Sequence, residues 1–166
     1  PPPSPLYFFT QTPESARRRS LVGSEMCIRD RIKTIGDCYM VVAGVPDRSP
    51  THAQQIAEFA LDMQIALSDY AISSGRDITM RTGIHTGTAV AGIVGTSKFA
   101  YDLWGDVVNV ASRMEATSEP GQIHVSSAVK IRLEDDYIFE ERGATTLKGK
   151  GELNTFYLTD RRTANH

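Results

Sequence analysis

Ile32-Lys33-Thr34-Ile35-Gly36-Asp37-Cys38-Tyr39-Met40-Val41-Val42 holds two β-prone runs separated by a Gly-Asp pair. Branched and aromatic side chains either side of such a pair predict a tight hairpin. Downstream, Gly44 to Pro50 is loop chemistry. Thr51 can cap a helix running to about Ala71, with Ile56, Ala60, Met63 and Leu67 on one apolar face. Ser73-Ser74-Gly75 ends it. Ile78 to Ile84 alternates as a strand, and Gly87, Gly92 and Gly95 punctuate a further stretch where the backbone can approach a ligand or another chain. A second helix is expected from near Asp106 to before Pro120-Gly121. Then come a strand at Ile123–Ser126, a short helix at Val129–Leu133, and strands at Tyr137–Glu141 and Leu153–Leu158. Strands and helices interleave without strict β-α-β order, which predicts an α+β sandwich.

Upstream of the hairpin, residues 1–30 have no sustained period. They open on Pro1-Pro2-Pro3-Ser4-Pro5 and are interrupted by Arg17-Arg18-Arg19, as a disordered tail would be. Ser20 to Asp30 resembles the in-frame translation of a sequencing adapter, so the expected division is a disordered or non-native segment at 1–30, a domain at 31–160 and a tail at 161–166. The 166 residues are 40% hydrophobic and 23% charged, enough for one domain with a real core. A net charge of −2 favours neither nucleic acid nor an anionic membrane, so phosphate chemistry would need a few placed cations. Two cysteines, Cys27 and Cys38, lack metal-ligand spacing and suit a reducing compartment. No apolar run approaches the roughly 20 residues that span a bilayer.

Three clusters can carry chemistry. Asp37 at a hairpin tip is aimed and free to coordinate a hard cation, and it is equally an ordinary turn residue. Tyr101-Asp102-Leu103-Trp104-Gly105-Asp106-Val107-Val108-Asn109-Val110-Ala111-Ser112-Arg113-Met114 places Asn109 and Arg113 at i and i+4, on one helical face. Arginine's planar, permanently charged fork suits phosphate; the alternative is a plain amphipathic helix. Asp102 can accept a hydrogen bond from an exocyclic amine or cap a turn. Leu147-Lys148-Gly149-Lys150-Gly151 can wrap a phosphate chain, although it is not a Walker A loop. Arg81 is a phosphate contact or a strand-edge charge. His52, His85 and His124 read as structural, and neither a catalytic triad nor a zinc pattern occurs.

Taken together, Ile32-Lys33-Thr34-Ile35-Gly36-Asp37, Arg81-Thr82-Gly83-Ile84-His85-Thr86-Gly87, Tyr101 to Gly105 with Val108 to Met114, and Leu147 to Gly151 resemble the class III adenylyl/guanylyl cyclase family. The resemblance implies a ferredoxin-like α/β sandwich. Asp37 then resembles the second of two metal-binding aspartates, for Mg²⁺ or Mn²⁺, with Ile35 and Gly36 beside it. Lys33 and Asp102 resemble the pair that reads adenine, and guanylyl members typically hold Glu and Cys there. Asn109 resembles the ribose-orienting residue, Arg113 the transition-state arginine, Lys148 the triphosphate lysine, and Arg81 an arginine near the phosphates. Leu103 and Trp104 would flank the base.

One departure stands out. The family's first strand carries another metal aspartate in a Phe-x-Asp-Ile-x-Gly-Phe-Thr-like run, followed by helices, and residues 1–30 hold nothing of that kind. The first strand and following helices are therefore expected to be missing or replaced. The implied activity is adenylyl cyclisation of ATP to 3′,5′-cyclic AMP and pyrophosphate, in a homodimer or cyclase-domain heterodimer with shared sites. A cytoplasmic setting is implied, whether free or as part of a membrane-anchored parent. The fragment by itself is expected to be inactive. The competing readings are a guanylyl cyclase and a catalytically silent nucleotide-binding partner domain.

Overall fold

The computed structural model describes residues 6–11, 32–35, 38–44, 49–94, 100–147 and 150–162. The strands are β1 (Leu6–Gln11), β2 (Ile32–Ile35), β3 (Cys38–Ala43), β4 (Thr82–Thr86), β5 (Val90–Val94), β6 (Ala100–Trp104), β7 (Ile123–Ser126), β8 (Tyr137–Leu147) and β9 (Gly151–Arg161). The helices are α1 (His52–Ser74), α2 (Asp106–Ala116) and α3 (Ser127–Leu133). Seven strands form one sheet in the order β2-β3-β1-β4-β7-β9-β8, while β5 and β6 make a separate antiparallel pair. Within the large sheet β4 and β7 run parallel, and the other neighbours are antiparallel. This is the expected α+β sandwich.

β3 shows why helices lie on both faces. Met40, Val41, Val42 and Ala43 are all buried, so neither side of this strand meets water. Val41 and Ala43 join the main core with Ile84, Val125, Leu133 and the α1 residues Ile56, Ala60, Met63 and Leu67. Met40 and Val42 face the other way, onto Val107 and Ala111 of α2. The predicted apolar stripe of α1 is thus its core face. Gly75 closes that helix at φ 63°, a left-handed conformation that glycine adopts without a Cβ penalty, and its N–H bonds back to the last turn.

Several boundaries differ from the sequence expectation. The stretch 1–30 was expected to form no element, yet Leu6–Gln11 is a strand that pairs with both β3 and β4. Its Leu-Tyr-Phe-Phe-Thr-Gln run is β-prone, and two long-range partners outweigh the lack of local context. The remainder of 1–30 lies outside the described residues, apart from this strand. β4 begins at Thr82 rather than Ile78, because both its ladders start there, opposite Thr10 and Ile123. Before it, the Met80 carbonyl accepts from Gly121 N–H (2.9 Å) and from Gln64 Nε2 (3.3 Å) instead. β8 and β9 are longer than expected, and β9 carries Arg161 beyond the expected domain limit at residue 160. Arg161 is fastened there by Glu58 Oε2 (2.7 Å) and Asp62 Oδ1 (2.6 Å) of α1, and Tyr137 donates to Glu58 Oε1 (2.7 Å).

Candidate functional site

The site is built around α2. β6 runs into it through Gly105, whose φ of 145° is a conformation side chains avoid, so Asp102, Leu103 and Trp104 lie just ahead of the helix. Val107, Val110, Ala111 and Met114 turn into the fold and are buried, whereas Asn109 is exposed and Arg113 half-buried. The i, i+4 pair therefore looks away from the helix's own core. The two polar side chains thus share the face of α2 that its buried residues leave.

Gly83 of β4 fixes how deep α2 sits. A Cβ built there would overlap the Glu115 amide nitrogen and lie 2.6 Å from the Ala111 carbonyl oxygen. Only a residue without a side chain lets strand and helix backbones meet this closely. Arg81, two residues earlier, pairs through Nε with buried Glu115 Oε1 at 3.2 Å. The arginine expected near phosphates thus already has a carboxylate partner on α2.

At the other end of α2, Lys150 Nζ meets Asp106 Oδ2 at 2.5 Å, which brings the β8–β9 connection to the helix N-terminus. His85 lies in the same neighbourhood and donates to or accepts from Ser126 Oγ at 2.8 Å. Burial pushes its ring down to about 4, against the pull of Asp106 and with a further push from Lys150. It is neutral near pH 7 and too weak a base to take a proton from a hydroxyl. His124 is pushed down to about 4 by burial as well, partly offset by its Nδ1 bond to the Met114 carbonyl (2.8 Å) and reinforced by nearby Arg142. His85 is half-buried and His124 buried, and each ring is hydrogen-bonded across the fold.

The base-reading candidates are placed by backbone register. Lys33 stands opposite Met40, whose side chain packs against α2, and Ile35 stands opposite Cys38. Asp102 stands opposite Gly92 in the β5–β6 pair. Gly36, Asp37 and Lys148 lie outside the described residues. Among the described residues there is no group of three His, Cys, Asp or Glu side chains able to hold a metal ion. β1, which fills the slot between β3 and β4, carries no carboxylate. The Asp106–Lys150 and Arg81–Glu115 pairs have no counterpart in the sequence expectation. Their partners are distant in sequence, so no local spacing announces them.

A seven-stranded, mostly antiparallel sheet with α2 on one face and α1 with α3 on the other defines an α+β sandwich in which Lys150, just ahead of β9, meets the first residue of α2. Comparison with known proteins gives that class a family. The model for the adenylate and guanylate cyclase catalytic domain matches residues 16–160, and the chain belongs to that family. An adenylate cyclase of Mycobacterium bovis is 49% identical over 81% of this chain and 30% of its own length. The receptor-type guanylate cyclase gcy-8 of Caenorhabditis elegans is 43% identical over 77% of this chain and 12% of its own length. The chain thus spans less than a third of the curated relatives it matches. Among solved structures, the guanylate cyclase domain of RhGC from Catenaria anguillulae in complex with GTP superposes with a TM-score of 0.85. It is 28% identical, over 96% of this chain and 98% of that one. No helix among the described residues is long and apolar enough to cross a membrane.

Proposed function

We propose that this domain serves adenylyl rather than guanylyl cyclisation: ATP to 3′,5′-cyclic AMP and pyrophosphate. The observation that carries the reading is the Lys33 and Asp102 pair. Adenine presents an N1 acceptor and an N6 donor; Lys33 donates and Asp102 accepts, whereas guanine has the opposite polarity. Such a site can reject the wrong base by about 10⁴-fold, because mispaired buried groups stay unsatisfied. The 49% identity to adenylate cyclases, against 43% for the guanylate cyclase, supports it. Leu103 and Trp104 flank the base, and Asn109 on the polar face of α2 orients the ribose. Arg113, one turn on, neutralises charge growing on the α-phosphate as the 3′-hydroxyl attacks and pyrophosphate leaves. Ile35, Gly36 and Lys148 meet the phosphates, and Arg81 serves them indirectly by holding Glu115 and so α2.

Divalent ions, Mg²⁺ or Mn²⁺, would activate the nucleophile and steady the leaving oxygens. The carboxylate assigned to them in this reading is Asp37. With no second one on β1, the donor set for two ions is incomplete. The chain alone, or paired with a second copy of itself, is then inactive; it acts with a cyclase-domain partner that brings both metal aspartates to Asn109 and Arg113. The test is to mix it, with Mn²⁺ and ATP, with a cyclase domain that keeps both aspartates but has its own Asn and Arg counterparts replaced. Cyclic AMP from the mixture and from neither component alone is expected. A silent mixture that still binds ATP would make this a nucleotide-binding partner domain instead.

A further inference from the structure

Arg142 sits in the β8–β9 hairpin and commits its whole guanidinium to one junction. Nε donates to Tyr157 Oη (2.7 Å), Nη1 to Thr145 Oγ1 (2.6 Å) and Nη2 to the Thr117 carbonyl (2.8 Å). Thr117 is the residue that ends α2. A cation on that carbonyl is favoured twice, by the hydrogen bond and by the negative end of the helix dipole. The guanidinium also lies 5.8 Å from the centre of the Tyr157 ring. Near the tip of the same hairpin, Lys150 meets Asp106, the first residue of α2. One hairpin thus grips both ends of an 11-residue helix about 16 Å long.

We propose that the β8–β9 hairpin is a two-point clasp that sets the position of α2, with Arg142 and Lys150 as positioning residues for Asn109 and Arg113. The proposal rests on the reading of the polar face of α2 as the nucleotide-facing one. Asn109 and Arg113 lie between the two grips, so releasing either end lets the helix tilt or slide and misplaces both. The Arg142 end is half-buried and multiply bonded, and it is the stronger grip. The Lys150 end is a solvent-exposed pair and the weaker.

The test uses the whole chain with a fluorescent methylanthraniloyl ATP and Mn²⁺. Lys150→Asp is expected to weaken binding about fivefold, and adding Asp106→Lys to restore it to within about twofold, since reversed charges still attract. Arg142→Met is expected to weaken binding about tenfold and to speed amide exchange at Thr117 and Ser118 without affecting α1; Arg142→Lys should fall between. If the reversed pair fails to restore binding, Lys150 touches phosphate directly and the clasp is overturned. Wild-type affinity in Arg142→Met overturns it too. Where Arg142→Met does not fold, the reversed surface pair decides. A native chain that binds no nucleotide sinks the functional reading instead; the clasp is then judged on exchange alone, and unchanged Thr117 and Ser118 amides reject it.

Discussion

Gly83 and Glu115 meet backbone against backbone: a Cβ on Gly83 would overlap the Glu115 amide nitrogen and come within 2.7 Å of its Cα. Glu115 closes the buried side of α2 while Arg81 holds its carboxylate. The seat of the helix is therefore set by what β4 lacks as much as by what it carries.

Gly83→Ala is expected to destabilise the fold by about 3 kcal/mol, the upper range for overpacking, since the obstacle is backbone that cannot rotate away. Gly87→Ala should cost under about 1 kcal/mol, because its nearest neighbour is a Val107 methyl at 3.1 Å that can shift. Urea unfolding midpoints compare the two, and equal losses would contradict the close seat.

On the proposed reading, base choice follows Lys33 and Asp102. Replacing both, Lys33→Glu with Asp102→Cys, is expected to move preference from ATP toward GTP by about 10²-fold or more. Competition of ATP and GTP for bound fluorescent nucleotide measures it. An unchanged ratio would take these residues out of base reading.

Arg113→Ala is expected to lower turnover of the mixed dimer about 10²- to 10³-fold with little change in KM, the signature of an interaction made in the transition state. A raised KM at unchanged kcat would reassign Arg113 to ground-state binding.

Stability should fall in acid through His124. Its Nδ1 donates to the Met114 carbonyl, and its Nε2 is buried without a partner, so a second proton would have no acceptor. The folded value near 4 lies below the ordinary 6.5. Between these limits the unfolded chain binds more protons, so stability is complete above about pH 6.5 and declines down to about pH 4. His124→Asn can keep the Met114 bond and cannot titrate; its stability should vary less across that window in urea titrations.

Arg161 belongs to the domain. Ending the chain after Asp160, or Arg161→Ala, should cost about 1 kcal/mol through loss of the Glu58 and Asp62 pairs, both partly exposed. Melting temperatures would show it; an unchanged melting point in 1 M salt alone would mark the contribution as purely Coulombic.

The parts legible in the sequence are those with a local cause. The β2–β3 hairpin, the stripe on α1, the Asn109–Arg113 face and β7 all follow from spacing within a few residues, and all form as expected. β1 was invisible because its partners are Cys38–Ala43 and Thr82–Thr86, far along the chain. The start of β4 was misplaced because neighbouring strands decide where a ladder begins. For the candidate site, residue types suggest Lys33, Asp102, Asn109 and Arg113. The contacts that seat α2, from Gly83, Arg81 and Arg142, are tertiary and leave no periodic trace.

β1 bears on what completes this domain. Leu6–Gln11 is a keystone: it closes two facing edges at once, across a gap of about 10 Å between β3 and β4. Without it the sheet would have a groove one strand wide, lined by unpaired amides and carbonyls that any suitable strand could enter. The keystone in place is chemically blank. A six-residue peptide offered to a chain lacking residues 1–11, with an aspartate at one position, would rebuild the sheet and bring a carboxylate into it in the same step.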